Sequence, residues 1–364
     1  MDRERLFFSS LNYQTLLNIS ASEADRLAEL HCRYVQKNDT EFYTRLLKAK
    51  EYFTPVHSDF SSWINLEGWH DAIQDIQQAR LKTGSCLLAL FHFGPHRDLL
   101  PDLAAHGIPV SAPIAGNVYE DFYAQRHLAP GDFADCFELL PVDDKNIGRS
   151  IFKRIRAGRC IAIYVDGNMG PDGHYAEEGS EVIHFSHLKI RAKSGIARLA
   201  LKFRLPILPI FSWTLGSKKR VSTGQPISVA TPEEIPNVVE QLYTQLFSKI
   251  QHAPEQWEYA ACLQRWRVQE EIQLAVTQAT KSEGLYRIPE NGIRFFTKGK
   301  DSFLINIPRN KVIKLPEWLR TSADALSNGH IISNADIGES DIESKLLYLD
   351  ALCDCQYLVF EKET

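Results

Sequence analysis

The chain has 364 residues, 44% hydrophobic and 24% charged, with a formal net charge of −5. That is the composition of a globular chain with room for one large domain, or for a large and a small one. Its mild acidity argues against duplex nucleic acid as a partner, and no run of about 18 apolar residues is present to span a bilayer.

Seven cysteines are scattered along the chain. Cys86 and Cys160 sit in apolar, strand-like runs, as reduced thiols of the cytoplasm often do. Cys353 and Cys355 have no second pair at zinc spacing, so no metal site is expected. The opening MDRERLFFSSLNYQTLL has no stretch of signal-peptide length. A cytoplasmic protein is therefore expected, with at most peripheral contact with the inner membrane.

Residues 1–80 read as a mainly helical region. ASEADRLAELHCRYVQKNDTEFYTRLLKAKEYF places apolar residues three and four apart among charges, with Ser22 and Thr40 as candidate N-caps. SSWINLEGWHDAIQDIQQARLKTG is a loop followed by a helix that ends at Gly84. From there the pattern turns to strand-then-helix units. SCLLALFHF is a buried strand, and RDLLPDLAAHG is a helix with Gly107 just past its end. IPVSAPIAG is a strand, VYEDFYAQRHLAP a helix or loop, and FELLPV a short strand. NIGRSIFKRIRAGR is a basic amphipathic helix closed by Gly158. CIAIYVDGN is a buried strand that stops at an acid. A Gly-rich loop, the helix KSGIARLALKFR and the strand LPILPIFSWTLG follow.

Alternation of this kind predicts an α/β fold with a mostly parallel central sheet flanked by helices, its site beyond the strand carboxyl ends. The α/β core is taken as 81–274. Residues from Pro236 to about 280 read as helical, split near Pro254, and KSEGLYRIPENG reads as a linker. Residues 285–364 differ in style. Short alternating strands turn at Lys298–Gly299 and Arg309–Asn310, followed by the helix SDIESKLLYLDALCD and a last strand, QYLVFEK. These predict a small α+β domain.

The titratable residues cluster where two strands end. His92 closes SCLLALFHF and reads either as a hydrogen-bonded structural residue or as a general base. Gly94 permits close backbone approach, and Asp98 is near enough in sequence to orient the ring. A carboxylate that fixes the tautomer and stabilises the imidazolium completes such a base. His96 is an alternative partner, and Arg97 is either a solvated helix residue or an anion ligand. Asp166, with Asn168 beyond it, reads either as an acid orienting a site loop or as a turn cap. Arg149, Lys153, Arg154, Arg156 and Arg159 form a basic cluster. It is either a solvated face or a receptor for a phosphopantetheine phosphate or an acidic carrier protein. GNMGPDGHYAEEG lacks the spacing of a phosphate-binding loop, and no Gly-x-Ser-x-Gly elbow is present for a serine hydrolase.

Taken in order, LALFHFGPHRD, ELLPVDDKNIGRSIFKRIRAGRCIAIYVDGNMGPDG, KSGIARLALKFRLPILPIF and HAPEQWEYAACLQRWR resemble the lipid A biosynthesis acyltransferase branch of the lysophospholipid acyltransferase superfamily. The resemblance covers roughly residues 80–270. It implies acyl transfer from an acyl carrier protein or coenzyme A thioester to a hydroxyl or amine, with His92 as the base and no metal or organic cofactor. The family's dyad is His, four residues, then Asp or Glu. Here Arg97 stands in that register and Asp98 is one position late. Members acting on lipid A usually begin with an anchoring helix, and no such apolar run opens this chain, so a bilayer-embedded acceptor is not expected. The C-terminal segment is similar in pattern to PqqD-like winged-helix modules, which implies a peptide acceptor or a small molecule of specialised metabolism. A plain capping subdomain is the alternative. Beside acyl transfer stand two other readings, a non-catalytic acyl- or peptide-binding protein on the same scaffold and a thioesterase.

Overall fold

All four residues of β1 (Leu87–Leu90) are buried, the continuous apolar run of a strand covered on both faces. Its parallel neighbours are β4 (Cys160–Tyr164) on one side and β7 (Ile207–Leu215) on the other. With β2 (Val110–Ile114), β3 (Phe137–Pro141) and β8 (Lys218–Thr223) they form a six-stranded sheet in the order β3-β2-β4-β1-β7-β8. Five strands are parallel, and β8 returns antiparallel along β7 as an edge. The computed structural model describes residues 3–52, 66–116, 119, 137–167, 179–268, 285–287, 293–298, 301–306, 311–316, 318–319, 345, 349, 352–353 and 359–361. They fall into two units, 1–267 and 268–364.

Alternation along β1 divides the first unit's core in two. Leu87, Ala89 and Phe91 face one cluster. Helices α1 (Arg3–Leu17), α5 (Ile147–Arg156), α6 (Gly195–Phe203) and α7 (Ile235–His252) contribute to it through Tyr13, Ile151, Ile196 and Val239. Cys86, Leu88 and Leu90 face the other, which α3 (Trp69–Thr83) and α4 (Leu99–Ala105) cover with Ile76 and Leu103. α2 (Ala21–Tyr52) contributes Leu27 to the first cluster and Phe42 to the second. The N-terminal helices thus share the core of the sheet. Among the described residues no helix is long and apolar enough to cross a membrane.

Several expectations need correction. α2 is one helix of 32 residues, because Ala21–Tyr52 holds no glycine or proline to interrupt it. Ser20, rather than Ser22, caps it by accepting from the Glu23 amide at 3.3 Å. Thr40 lies mid-helix and donates to the Gln36 carbonyl at 2.9 Å. The segment after Asp166 contains an unforeseen hairpin, β5 (Ser180–Phe185) with β6 (Leu188–Lys193). β8 was also missed. Its KKRVST is charged because it is an edge, which such side chains protect from further pairing. After α7 the chain runs in 3-10 turns, Pro254–Gln256 and Glu258–Arg265, rather than in a second α-helix.

In the second unit, β10 (Ile293–Lys298), β11 (Asp301–Asn306) and β12 (Lys311–Lys314) form the expected antiparallel meander. The segment read as a linker contains β9 (Leu285–Arg287), which pairs with β13 (Val359–Glu361). VYEDFYAQRHLAP, apart from the helical Tyr119, lies outside the described residues, as do 269–280 and most of the expected C-terminal helix.

Candidate active site

The register of β1 on β4 builds the centre of the site. Leu90 lies opposite Tyr164, so two residues further along each strand His92 and Asp166 come side by side at the carboxyl edge. Asp166 Oδ1 accepts from His92 Nδ1 at 2.9 Å and from the His92 amide at 3.0 Å. Oδ2 accepts from Trp257 Nε1 at 3.0 Å. The carboxylate is fully buried, while the His92 side chain keeps 18% of its exposure. With its proton on Nδ1, the ring presents the Nε2 lone pair, to which no hydrogen bond is made among the described residues.

Backbone pairing holds the ring in place. Phe93 and Trp257 form an antiparallel bridge. The Glu258 amide donates to the His92 carbonyl at 2.8 Å, and the Gly94 amide donates to the Gln256 carbonyl at 2.9 Å. Gln256 in turn clamps the end of β7 through the amide and carbonyl of Thr214, at 2.8 and 2.9 Å. Gly94 has φ +63°, and a Cβ there would run into the Ser212 carbonyl oxygen, so only glycine fits this turn. Aromatic rings enclose His92. Tyr164 lies 4.5 Å and Tyr259 4.4 Å away, centroid to centroid. Burial pushes both phenols well above their ordinary range, so they stay neutral.

Asp98 is not the partner of His92. The Gly94–Pro95 turn and the 3-10 turn His96–Asp98 carry its carboxylate to Lys219, at 3.4 Å. The orienting carboxylate is Asp166. Arg97 is not presented to an incoming anion either. Its guanidinium grips Glu258 with two bonds, at 2.7 and 3.0 Å, and reaches Asp39 of α2 at 3.0 Å. Burial opposes that charge, but the Glu258 carboxylate outweighs it and holds Arg97 well above its ordinary value. Burial alone would raise Glu258, but the charge and the paired hydrogen bonds of Arg97 hold it far below the usual carboxylate range.

His96 does not replace His92. Burial, then the charge of Arg97, pushes it well below its ordinary value. The neutral ring donates from Nδ1 to the Gly94 carbonyl at 3.2 Å, and its Nε2 accepts from Arg97 at 3.0 Å. Nε2 then carries no proton for the Glu258 oxygen 3.4 Å away, and that contact is not an ion pair. Arg149 and Lys153 are exposed on α5, away from this network, whereas Arg154 pairs with Glu138 and Arg159 with the Val110 carbonyl. Asn168 lies outside the described residues.

The chain matches no protein-family model and no curated protein. The site therefore has to be read from its geometry. Trp257, Glu258, Tyr164 and Tyr259 were not singled out beforehand as site residues. The string PEQWEY carried a signal for three of them, but nothing local ties it to a histidine about 165 positions earlier. A polar hollow of about 570 Å³ lies between α2 and the β7–β8 turn, lined by Thr40, Glu41, Glu67, Lys218 and Lys219 among others. His92 does not line it. The hydrogen-bonded dyad, rather than the size of that hollow, marks the candidate site.

Proposed function

We propose that the protein is an acyltransferase that uses an acyl thioester, with His92 as general base and Asp166 as the residue that orients it. The observation that carries this reading is the His92 ring, its Nδ1 on a buried carboxylate and its Nε2 open at the carboxyl edge of a parallel sheet. The resemblance of residues 80–270 to the lipid A acyltransferase branch supports the choice of substrate. In the proposed reaction, the lone pair of a hydroxyl or amine attacks the thioester carbonyl carbon and its proton passes to Nε2. Asp166 stabilises the imidazolium. The tetrahedral intermediate collapses, the C–S bond breaks, and the departing thiolate takes the proton from Nε2. An acyl tail in an apolar groove would add about 0.8 kcal/mol per methylene.

The donor is an acyl carrier protein or coenzyme A thioester, and the resemblance implies no further cofactor. The acceptor is a peptide or a small amine or alcohol, and the setting is cytoplasmic. The antiparallel sheet β10-β11-β12 supports a winged-helix-like second domain, whose edge strands would let a peptide add a further strand. A non-catalytic binding protein loses its main support, because the misplaced Asp98 no longer leaves His92 without a carboxylate.

The test presents the purified protein with acyl-CoA and acyl-carrier-protein donors and a panel of alcohols, amines and peptides. Acyl transfer that drops by two or more powers of ten in His92→Ala is expected. Equal rates in wild type and His92→Ala would remove the base assignment. Free acid formed at a rate indifferent to added nucleophile would make the protein a thioesterase. Tight binding without turnover would make it a binding protein.

A further inference from the structure

Helices α5 and α6 carry a charge pattern unlike the rest of this acidic chain. Their sequences, IGRSIFKRIR and GIARLALKF, hold six Arg and Lys residues and no Asp or Glu, although acids outnumber bases 46 to 41 over the whole chain. On α5 the cations do not ring the helix. Arg149, Phe152, Lys153 and Arg156 follow at three- and four-residue steps and form one exposed stripe, while Ile151 on the opposite side enters the core. On α6, Arg198 and Lys202 are exposed, and Ile196, Ala197 and Ala200 are buried.

The two helices meet through aromatic rings at the surface. Phe152 keeps 41% of its exposure and stacks on Phe203 with centroids 5.8 Å apart. The Arg156 guanidinium lies 5.3 Å over Phe152, and the Lys202 ammonium lies 5.6 Å over Phe203. An exposed Phe152 stacked on a half-buried Phe203 and capped by cations is the chemistry of an interfacial anchor: the ring settles among headgroups while the charges stay at phosphate level. Arg149, Lys153 and Arg156 have no ion-pair partner among the described residues. A net charge of −5 would otherwise repel an anionic surface, so the concentration of positive charge on one face is what makes attraction possible.

We infer that the α5–α6 face docks on an anionic lipid bilayer. The face lies flat on the headgroups, Phe152 enters the interface from its seat on Phe203, and Arg149, Lys153, Arg156 and Lys202 pair with lipid phosphates. The attachment is peripheral and reversible by salt. An acidic protein is the competing occupant of this face, and the experiment below separates the two. The inference rests on charge and exposure alone and stands whether or not the protein transfers acyl groups.

The experiment is co-sedimentation of the full-length protein with vesicles. Vesicles of pure phosphatidylcholine are compared with vesicles containing one-third phosphatidylglycerol, at physiological and at high salt. Wild type is expected to pellet with the anionic vesicles, to stay in solution with the neutral ones, and to be released by salt. At about five-fold in partitioning per cation, the triple variant Arg149→Glu, Lys153→Glu, Arg156→Glu should bind at least about 100-fold more weakly while keeping the wild-type thermal midpoint. Phe152→Ser should weaken binding without changing its salt dependence. The inference is overturned if wild type ignores anionic vesicles, or if the triple variant binds them as wild type does. It is equally overturned if the protein binds an acidic protein probe, apo acyl carrier protein, through this face and binds no vesicle.

Discussion

Replacing Asp166 with asparagine keeps the outline of the side chain and removes only its charge and one acceptor. The native carboxylate, itself fully buried, accepts three N–H groups, from the His92 amide, His92 Nδ1 and Trp257 Nε1. If the amide oxygen keeps both bonds to His92, the new NH2 group faces the Trp257 N–H, leaving a buried donor unsatisfied at a cost of about 1–3 kcal/mol in stability. Turnover should suffer more. The imidazolium formed when His92 takes a proton loses a full negative charge 2.9 Å away. A loss of two to four powers of ten in rate is expected, equivalent to about 3–5 kcal/mol in the barrier. Thiol release from an acyl thioester would be followed together with urea unfolding, so that lost activity is separated from lost fold. Nitrogen NMR of the neutral His92 ring should show the proton on Nδ1 in wild type. Turnover undiminished in Asp166→Asn, or abolished instead in Asp98→Asn, would refute the assignment, and so would a wild-type ring protonated mainly on Nε2.

The Arg97–Glu258 pair should behave as a structural clasp between the turn after β1 and the 3-10 segment after Trp257. Arg97→Met leaves a half-buried carboxylate uncompensated and should cost up to about 3 kcal/mol in urea unfolding, whereas Arg97→Met with Glu258→Met together should recover much of it. Gly94→Ala meets the Ser212 carbonyl at a positive φ and should lower the yield of folded protein severely, measured by soluble expression and thermal midpoint. Stability should fall on acidification because of His31. Burial pulls this ring from its ordinary 6.5 down to about 4, with only its Nδ1 engaged, on the Glu255 carbonyl. The unfolded chain therefore binds the proton first. The contribution is complete above pH 6.5, declines as pH falls through that value, and is gone below about 4, a span of about 3 kcal/mol. His96, lowered by burial as well, adds with the same sign. Urea midpoints across this range, flatter in His31→Gln, would check it.

The organisation of the sheet was legible because each of its inner strands is a short apolar run closed by a turn residue. Gly84, Gly107 and Gly158 end helices at positive φ, as their positions in the sequence suggested. The hairpin β5–β6 was missed: EVIHF and LKIRAK alternate as strands do, but the glycines and acids before them pointed to a loop. β8 was harder, since an edge strand shields itself with lysine and arginine and loses the apolar signature. The site was half legible. His92 and Asp166 were both recognised as residues that end buried strands, but they were not recognised as partners.

The amino-acid sequence by itself determined which residues end the strands, where glycine must stand, and that α5 and α6 carry cations without acids. These follow from local sterics and from the periods of helix and strand, which act over a few residues. The tertiary structure alone decided which carboxylate reaches His92 and where Arg97 spends its charge. Asp98 is near in sequence, but the intervening turn aims it at Lys219. Asp166 is 74 positions away and Glu258 is 161 positions from Arg97. Parallel register and the Phe93–Trp257 bridge bring these partners into contact, and such pairings are set only when the whole core closes.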